Sequence, residues 1–402
     1  MTTPPRSIST VSQRMAFIED EIRQLKDNSL YQTLRTLQGP QDIEIQLDGK
    51  RVLNFSSNNY LGFARHPRLM AAAKKAIDDY GVGSGAVRTI IGTMDIHQAL
   101  EQKLADFKHT EATLVLQSGY MANTAAITTL LGEGDAILSD ALNHASIIDA
   151  CRVMKKVPTH VYPHSDLDAL ESLLKQTQSA RRRLIITDGV FSMDGDLARL
   201  PEIVDLAEAY DAMVMVDDAH ASGVFGRNGR GTVDHFNLNG RVDIQVGTLS
   251  KAIGALGGYV ASTEAFRNLL INKARPFLFS TSHPPSVVMT CMTALDVLLE
   301  EPQWMEQLWE NTRYFKAGML SLGYDANSES PIIPVIVGPS EKAHRLSQRL
   351  FEEGLYARAI VYPTVALDKA RVRVMVSATH TREQLDRALG IFEKVGRELA
   401  LI

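Results

Sequence analysis

Short apolar runs alternate with amphipathic stretches through the middle of this chain. Residues 112–117, 136–139, 159–162, 184–188, 213–217, 244–248 and 259–261 read as buried strands, with helical periodicity between them. That alternation predicts a mostly parallel sheet covered by helices, in a large domain spanning residues 56–290. Ahead of it, residues 1–55 form an N-terminal segment with a polar tail, a charged helical stretch at 15–26 and a strand at 43–47. Beyond a long helix at 285–299 the pattern changes. Strands at 333–337, 357–360 and 372–377 are interleaved with helices at 341–353 and 382–399, which predicts a small C-terminal α+β domain over 291–402. No internal repeat or low-complexity segment interrupts this order.

Composition narrows the function. A chain of 402 residues, 45% hydrophobic and 22% charged, buries enough surface for more than one domain. Its formal net charge of -5 gives no electrostatic reason to expect binding to nucleic acid or acidic membranes. The basic runs Arg181-Arg182-Arg183 and Lys155-Lys156 read as solvated loop residues. No apolar stretch approaches a membrane span, and Met1 to Arg14 lacks a signal-peptide core. Cys151 and Cys291 are far apart in helical sequence, which argues against a disulfide framework. The expected compartment is the cytoplasm.

In open α/β sheets ligands sit at the carboxyl ends of the strands, and chemistry-bearing residues collect there in this sequence. The run 213–217 closes on Asp217-Asp218-Ala219-His220, and the run 244–248 leads through Thr248-Leu249-Ser250 to Lys251. A lysine amine, a carboxylate and hydroxyls form the set that pyridoxal phosphate requires. The amine holds its aldehyde as a Schiff base, the carboxylate keeps its pyridine nitrogen protonated, and the hydroxyls meet its phosphate. Ser118-Gly119-Tyr120 opens a helix after another strand and offers the amides of Gly119 and Tyr120 to a phosphate. Asn143-His144-Ala145-Ser146 and the segment 188–195 follow two more. Each alone suits an ordinary turn or a packed side chain; compatible groups at successive strand ends point to a site.

Other motif-like stretches carry no chemistry. Gly81-Val82-Gly83-Ser84-Gly85 follows a helical run, outside the context of a dinucleotide fingerprint. Residues 226–231, rich in glycine, lack the Lys-Ser/Thr of a P-loop and read as a mobile loop. His160, His164 and the other histidines lack paired ligand spacing, so no metal is expected.

Several blocks resemble the α-oxoamine synthase family of fold-type I pyridoxal phosphate enzymes. They are Ser57-Asn58-Asn59-Tyr60-Leu61-Gly62, Gly83-Ser84-Gly85-Ala86-Val87-Arg88, residues 92–97, 142–149, 187–196, 216–223 and 248–251, and Ala370-Arg371-Val372-Arg373. The likeness covers nearly the whole chain and is strongest to the glycine C-acetyltransferase and 8-amino-7-oxononanoate synthase branches. The resemblance implies a large cofactor domain with a small C-terminal domain, pyridoxal 5'-phosphate as cofactor, and a homodimer with shared active sites.

Residue by residue, the resemblance assigns Lys251 to the Schiff base, Asp217 to the pyridine nitrogen and His144 to stacking on the ring. His220 and Ser192 go near the ring's 3-oxygen, and Gly119, Tyr120 and Thr248 to the phosphate. Ser280 and Thr281 would reach the phosphate of the partner subunit's site. Asn59 and Arg373 would contact substrate, with His144 beside them. The family's Asp-x-x-His spacing selects Asp217 over Asp218, which should then face a helix or solvent.

The implied reaction condenses a small amino acid with an acyl-CoA and releases CoA, with Lys251, His144, Asp217 and His220 as the catalytic set. The arginine that some oxononanoate synthases place near the N-terminus for a distal acyl carboxylate has no clear counterpart. The expected pair is therefore glycine with acetyl-CoA or another short-chain acyl-CoA. The alternative pair is L-alanine with pimeloyl-CoA or a pimeloyl carrier protein. A serine palmitoyltransferase-like enzyme is a further variant. An aminotransferase would share Asp217 and Lys251 without releasing CoA.

Overall fold

The computed structural model describes residues 11–28 and 30–402. The first ten residues of the polar tail fall outside the described residues, and the charged stretch after it forms the helix Phe17–Asp27.

The apolar runs form a seven-stranded sheet. Its order is Ala112–Leu116, Gly258–Ser262, Ile244–Thr248, Met213–Asp217, Arg183–Asp188, Ala136–Asp140 and Thr159–Tyr162. Only Gly258–Ser262 runs antiparallel to its neighbours. Side chains alternate between two cores, as the pleat requires. Leu184, Ile186 and Met215 pack with Ala122, Ala126 and Ile127 of the helix Gly119–Leu130. Ile185, Val214 and Val216 pack on the other side with Leu170, Leu200 and Ile203. Burial on both faces explains why these strands read as unbroken apolar runs.

Two smaller sheets complete the chain. Ile332–Gly338, Ala370–Met375 and Arg358–Ile360 form an antiparallel sheet. Leu37–Gln38, Glu44–Leu47 and Lys50–Asn54 form another, and Leu355–Tyr356 joins it parallel to Lys50–Asn54. Ile43, Leu53 and Phe55 share a core with Phe315, Leu346, Val372 and Phe392, so the early strands belong physically with the C-terminal region. The helix Pro285–Glu300 spans residue 291, and its Val288, Cys291, Leu295 and Leu298 pack with Tyr60, Leu100 and Leu104. Among the described residues no helix is long and apolar enough to cross a membrane.

One buried ion pair anchors the middle of the large sheet. Lys108, at the end of the helix Asp95–Lys108, places Nζ 2.8 Å from Oδ2 of Asp218, and both side chains are fully excluded from solvent. Burial alone would push the lysine pKa down, but Asp218 and Tyr259 together outweigh it and the net shift is upward. Thr232 Oγ1 donates to Asp218 Oδ1 at 2.5 Å, and the Arg230 carbonyl accepts from Lys108. Asp218 thus faces a helix and is shut off from solvent. The segment 226–231, read from sequence as a mobile loop, is a hydrogen-bonded cover on this pair. Gly231 has φ +103°, and a Cβ there would stand 2.0 Å from Asp218 Oδ2. Glycine is the residue that fits both the backbone and the space.

Removing one partner of a buried pair leaves the other charge uncompensated. Lys108→Met should therefore lose about 3–5 kcal/mol in urea unfolding, and adding Asp218→Asn should recover most of it. A single variant within about 0.5 kcal/mol of the parent would deny the pair this anchoring role.

Candidate active site

The pleat that sends Asp218 into the ion pair turns Asp217 to the opposite face, under the helix Gly119–Leu130. There Asp217 Oδ2 accepts from Asn123 Nδ2 at 2.6 Å, and Oδ1 accepts from the Ala219 amide at 2.9 Å. Asn123 Nδ2 also donates to Ser146 Oγ at 2.8 Å, so its orientation is set from two sides. His144 is the N-cap of the helix Ala145–Val153, and its Nδ1 accepts from the Ser146 amide at 3.3 Å. Ser146 Oγ lies 2.8 Å from the same nitrogen. With Nδ1 an acceptor, the neutral ring carries its hydrogen on Nε2.

The turn that bears His144 is tied to its neighbours. Asn143 donates to the Ile186 carbonyl at 2.8 Å and accepts from the Asp188 amide at 2.8 Å. His164 bridges Asp140 at 3.0 Å and Asp196 at 2.8 Å. Burial works against its charge, but hydrogen bonds to the two carboxylates prevail and raise its pKa to about 10. An imidazolium therefore joins the end of the strand Ala136–Asp140 to the turn after Arg183–Asp188.

These elements enclose a cavity of about 190 Å³ lined by Ser118, Gly119, Tyr120, Asn123, His144, Ser146, Asp188, Val190, Asp217, Ala219, His220, Thr248, Ser250 and Lys251. Burial lowers the Lys251 pKa to about 8 against the upward pull of Asp217. No hydrogen bond or ion pair holds its amine among the described residues. His220 is neutral, its pKa driven well down by burial and then by Lys251, and its Nδ1 lies 2.8 Å from the Tyr60 hydroxyl. Ser118 caps the helix by accepting from the Met121 amide at 3.2 Å, which leaves the amides of Gly119 and Tyr120 directed at the cavity end. Thr248 stands close by: a Cβ on Gly119 would meet it at 3.3 Å.

Seven of the residues expected from sequence thus line one cavity: Gly119, Tyr120, His144, Asp217, His220, Thr248 and Lys251. Arg373 lies beside them, its charge felt by both Lys251 and His220. Its Nη1 donates to Asn58 Oδ1 at 3.3 Å, while Nε and Nη2 are buried without a partner. Asn59 turns away; its Oδ1 accepts from the Ala64 amide at 3.2 Å, and it lines a neighbouring cavity. Ser192 sits in the turn beyond Val190, off the cavity wall. Ser280 and Thr281 are also off the wall; the Thr281 carbonyl accepts from Gln117 at 2.6 Å, and the residue pairs with Val87. Sequence reasoning passes over Asn123, and it names Ser146 and Asp188 only within strand-end segments, without a role of their own. The signal for Asn123 was a lone amide on the apolar face of a helix that follows a strand end.

An unpartnered buried lysine, a carboxylate on the adjacent strand and free amides at a helix start suit pyridoxal phosphate. The group would lie with its aldehyde toward Lys251 and its phosphate toward Gly119. The fold and the cavity are those of a fold-type I pyridoxal phosphate enzyme. A family profile described as aminotransferase class I and II matches residues 50–392. The chain belongs to that family, within its α-oxoamine synthase branch. It is 58% identical over 388 residues to the 8-amino-7-oxononanoate synthase of Symbiobacterium thermophilum, covering 96% of this chain and 99% of the relative. It is 57% identical over 390 residues to that of Fervidobacterium nodosum, covering 96% and 98%. A high-resolution structure of SPT with its PLP internal aldimine superposes with a TM-score of 0.92 at 32% identity, covering 98% of this chain and all of that one.

The depressed lysine has a titratable consequence. Cofactor-free protein given pyridoxal phosphate and then borohydride should carry the pyridoxyl group on Lys251 alone by peptide mass spectrometry. Capture should rise as the amine loses its proton, with half-maximal rate near pH 8. Labelling of another lysine, or a midpoint near that of an exposed lysine, would contradict the geometry.

Proposed function

We propose that this enzyme condenses L-alanine with a pimeloyl thioester, releasing the thiol and carbon dioxide to form 8-amino-7-oxononanoate. Condensation of an amino acid with an acyl thioester is the chemistry of its family. The observation that carries the particular pair is the 58% identity along almost the full length of a relative named for that product. It favours the alternative substrates over glycine with a short acyl-CoA. The neighbouring cavity of about 270 Å³, with Ser57, Asn59, Arg65 and His66 on its wall, supports a longer acyl group ending in a carboxylate.

The residues divide the work. When bound, pyridoxal phosphate supplies the electron sink that acidifies the amino acid's Cα hydrogen. Asp217 would hold a negative charge against the ring nitrogen, and His144 would pack on the ring. The open Nε and Nη2 of Arg373 receive the amino acid carboxylate as a charge-assisted pair. Lys251 takes the Cα proton, as an amine with a pKa of about 8 can. The deprotonated carbon attacks the thioester carbonyl, the carbon–sulfur bond breaks, and the thiolate departs with the proton that Lys251 took. The resulting β-keto acid then loses its carboxyl group as carbon dioxide, and the carbon left behind takes a proton from solvent. His144 Nε2–H donates to the carbonyl oxygen as its charge develops. His220, held neutral by burial and linked to Tyr60, would meet the ring's 3-oxygen.

The same reading includes a homodimer with shared sites. Ile90, Ile91 and Phe279 are 78%, 79% and 70% exposed, an unusual outlay of large apolar side chains. They flank the Val87–Thr281 pairing, beside which Ser280 and Thr281 would reach a partner's phosphate site.

Thiol release measured across amino acids and acyl-CoAs tests the substrates. Alanine with pimeloyl-CoA should exceed glycine with acetyl-CoA in kcat/KM by about tenfold or more, the scale of discrimination that one or more methylenes provide. The opposite preference would restore the short-chain reading. Subunit mixing tests the assembly. Inactive Lys251→Ala chains combined with inactive chains altered at Ser280 and Thr281 should regain part of the activity in mixed dimers. Full activity in a stable monomer would refute shared sites.

A further inference from the structure

Asp188 closes the strand next to the one that ends in Asp217, and the two residues are partners in the parallel register. Both share the parity of Ile186 and Met215, whose side chains enter the core beneath the helix Gly119–Leu130. Two carboxylates therefore project side by side from one face of the sheet, at 4% and 5% exposure, into the same cavity. Neither forms an ion pair among the described residues. Like charges so placed, away from water, do not both ionise.

The hydrogen-bond donors are divided unequally. Asp217 accepts from Asn123 at 2.6 Å and from the Ala219 amide at 2.9 Å. Asp188 has one long contact, from the His144 amide at 3.4 Å. Donors favour the ionised form, and they sit on Asp217.

We infer that Asp188 and Asp217 hold one proton between them and that it resides on Asp188, so a neutral carboxylic acid faces the cavity at neutral pH. The surroundings of Asp188 favour the proton on balance. Burial raises its pKa well above the ordinary carboxylate range, Asp217 adds to this and Asp140 contributes in the same sense, while Lys251 opposes them without reaching ion-pair distance. Asp140 is itself met by His164. The consequence falls on Lys251. With one anion beside it instead of two, its amine sheds a proton more readily, and the cavity gains a hydroxyl donor that two carboxylates would lack. Asp188 is in this sense a tuning residue that acts through Lys251. The inference holds for any amino acid and acyl pair, so it stands apart from the substrate assignment.

Infrared spectroscopy of the cofactor-free protein reads it directly. At neutral pH the wild type should show a protonated-carboxyl stretch that shifts in D2O and is absent from Asp188→Asn. In Asp217→Asn the band should persist but be lost at lower pH than in the wild type, because the neighbouring charge is gone. Capture of pyridoxal phosphate by Lys251 should keep its wild-type midpoint in Asp188→Asn, since a neutral group replaces a neutral group. No band in the wild type, a band abolished by Asp217→Asn, or a capture midpoint lowered in Asp188→Asn would each overturn the assignment. The Asp217→Asn arm decides the matter even if Asp188→Asn does not fold.

Discussion

The site depends on which way the end of one strand turns, and the Lys108–Asp218 ion pair fixes it. Asp217 and Asp218 are adjacent carboxylates on a pleated chain, so one must face each side. The lysine, the Thr232 hydroxyl and the tight turn at Gly231 claim Asp218. Asp217 is thereby committed to the cavity. A slip of one residue would either bring Ala219 to Lys108 and leave the lysine without its partner, or bring Val216 to the cavity in place of Asp217. The pair is thus a register lock placed directly behind the carboxylate that faces the cavity.

Around that lock the cavity is assembled from groups whose charge is set by exclusion of water. Burial lowers the basicity of Lys251, His144, His220 and Arg373 and raises the pKa of Asp188. Each shift moves a group toward its neutral form. A cofactor carrying its own charges then meets fixed dipoles and few competing ions, where a charge-assisted contact counts for more than in water. His164 shows the contrary case at the rim, where two carboxylates keep an imidazolium charged and hold two turns together.

Much of this was legible in the sequence. Strands buried on both faces write themselves as apolar runs, and an open α/β sheet gathers chemistry at their ends. Lys251, Asp217, His144 and His220 all follow such runs and all line the cavity. What escaped had no local signature. Leu355–Tyr356 pairs with Lys50–Asn54 across some three hundred positions of chain and is two residues long. Asn123 lies within a helix, and its importance arises from the strand beneath it. Asp188 reads as the first residue of a turn until the register sets it beside Asp217. The glycines at 226–231 suggest mobility in sequence, yet Gly231 is there because its backbone presses against the buried ion pair.

Substrate choice was the least legible of all, for a physical reason. Glycine and alanine differ by one methyl group, a discrimination of about 1–3 kcal/mol that depends on wall shape and leaves no motif. Recognition of a distal acyl carboxylate needs a cation in the right place in space, and any segment the fold brings near can provide it. An arginine at one fixed position near the N-terminus is therefore a weak criterion. Arg65, paired with Asp42 beside Asn59, lies on the wall of a second cavity well after that position in the chain. Similarity along the whole chain integrates many such wall contacts at once, whereas a catalytic motif samples only the residues around the reacting centre. The full-length relatives are accordingly the better guide to the acyl group, and the motif the better guide to the chemistry performed on it.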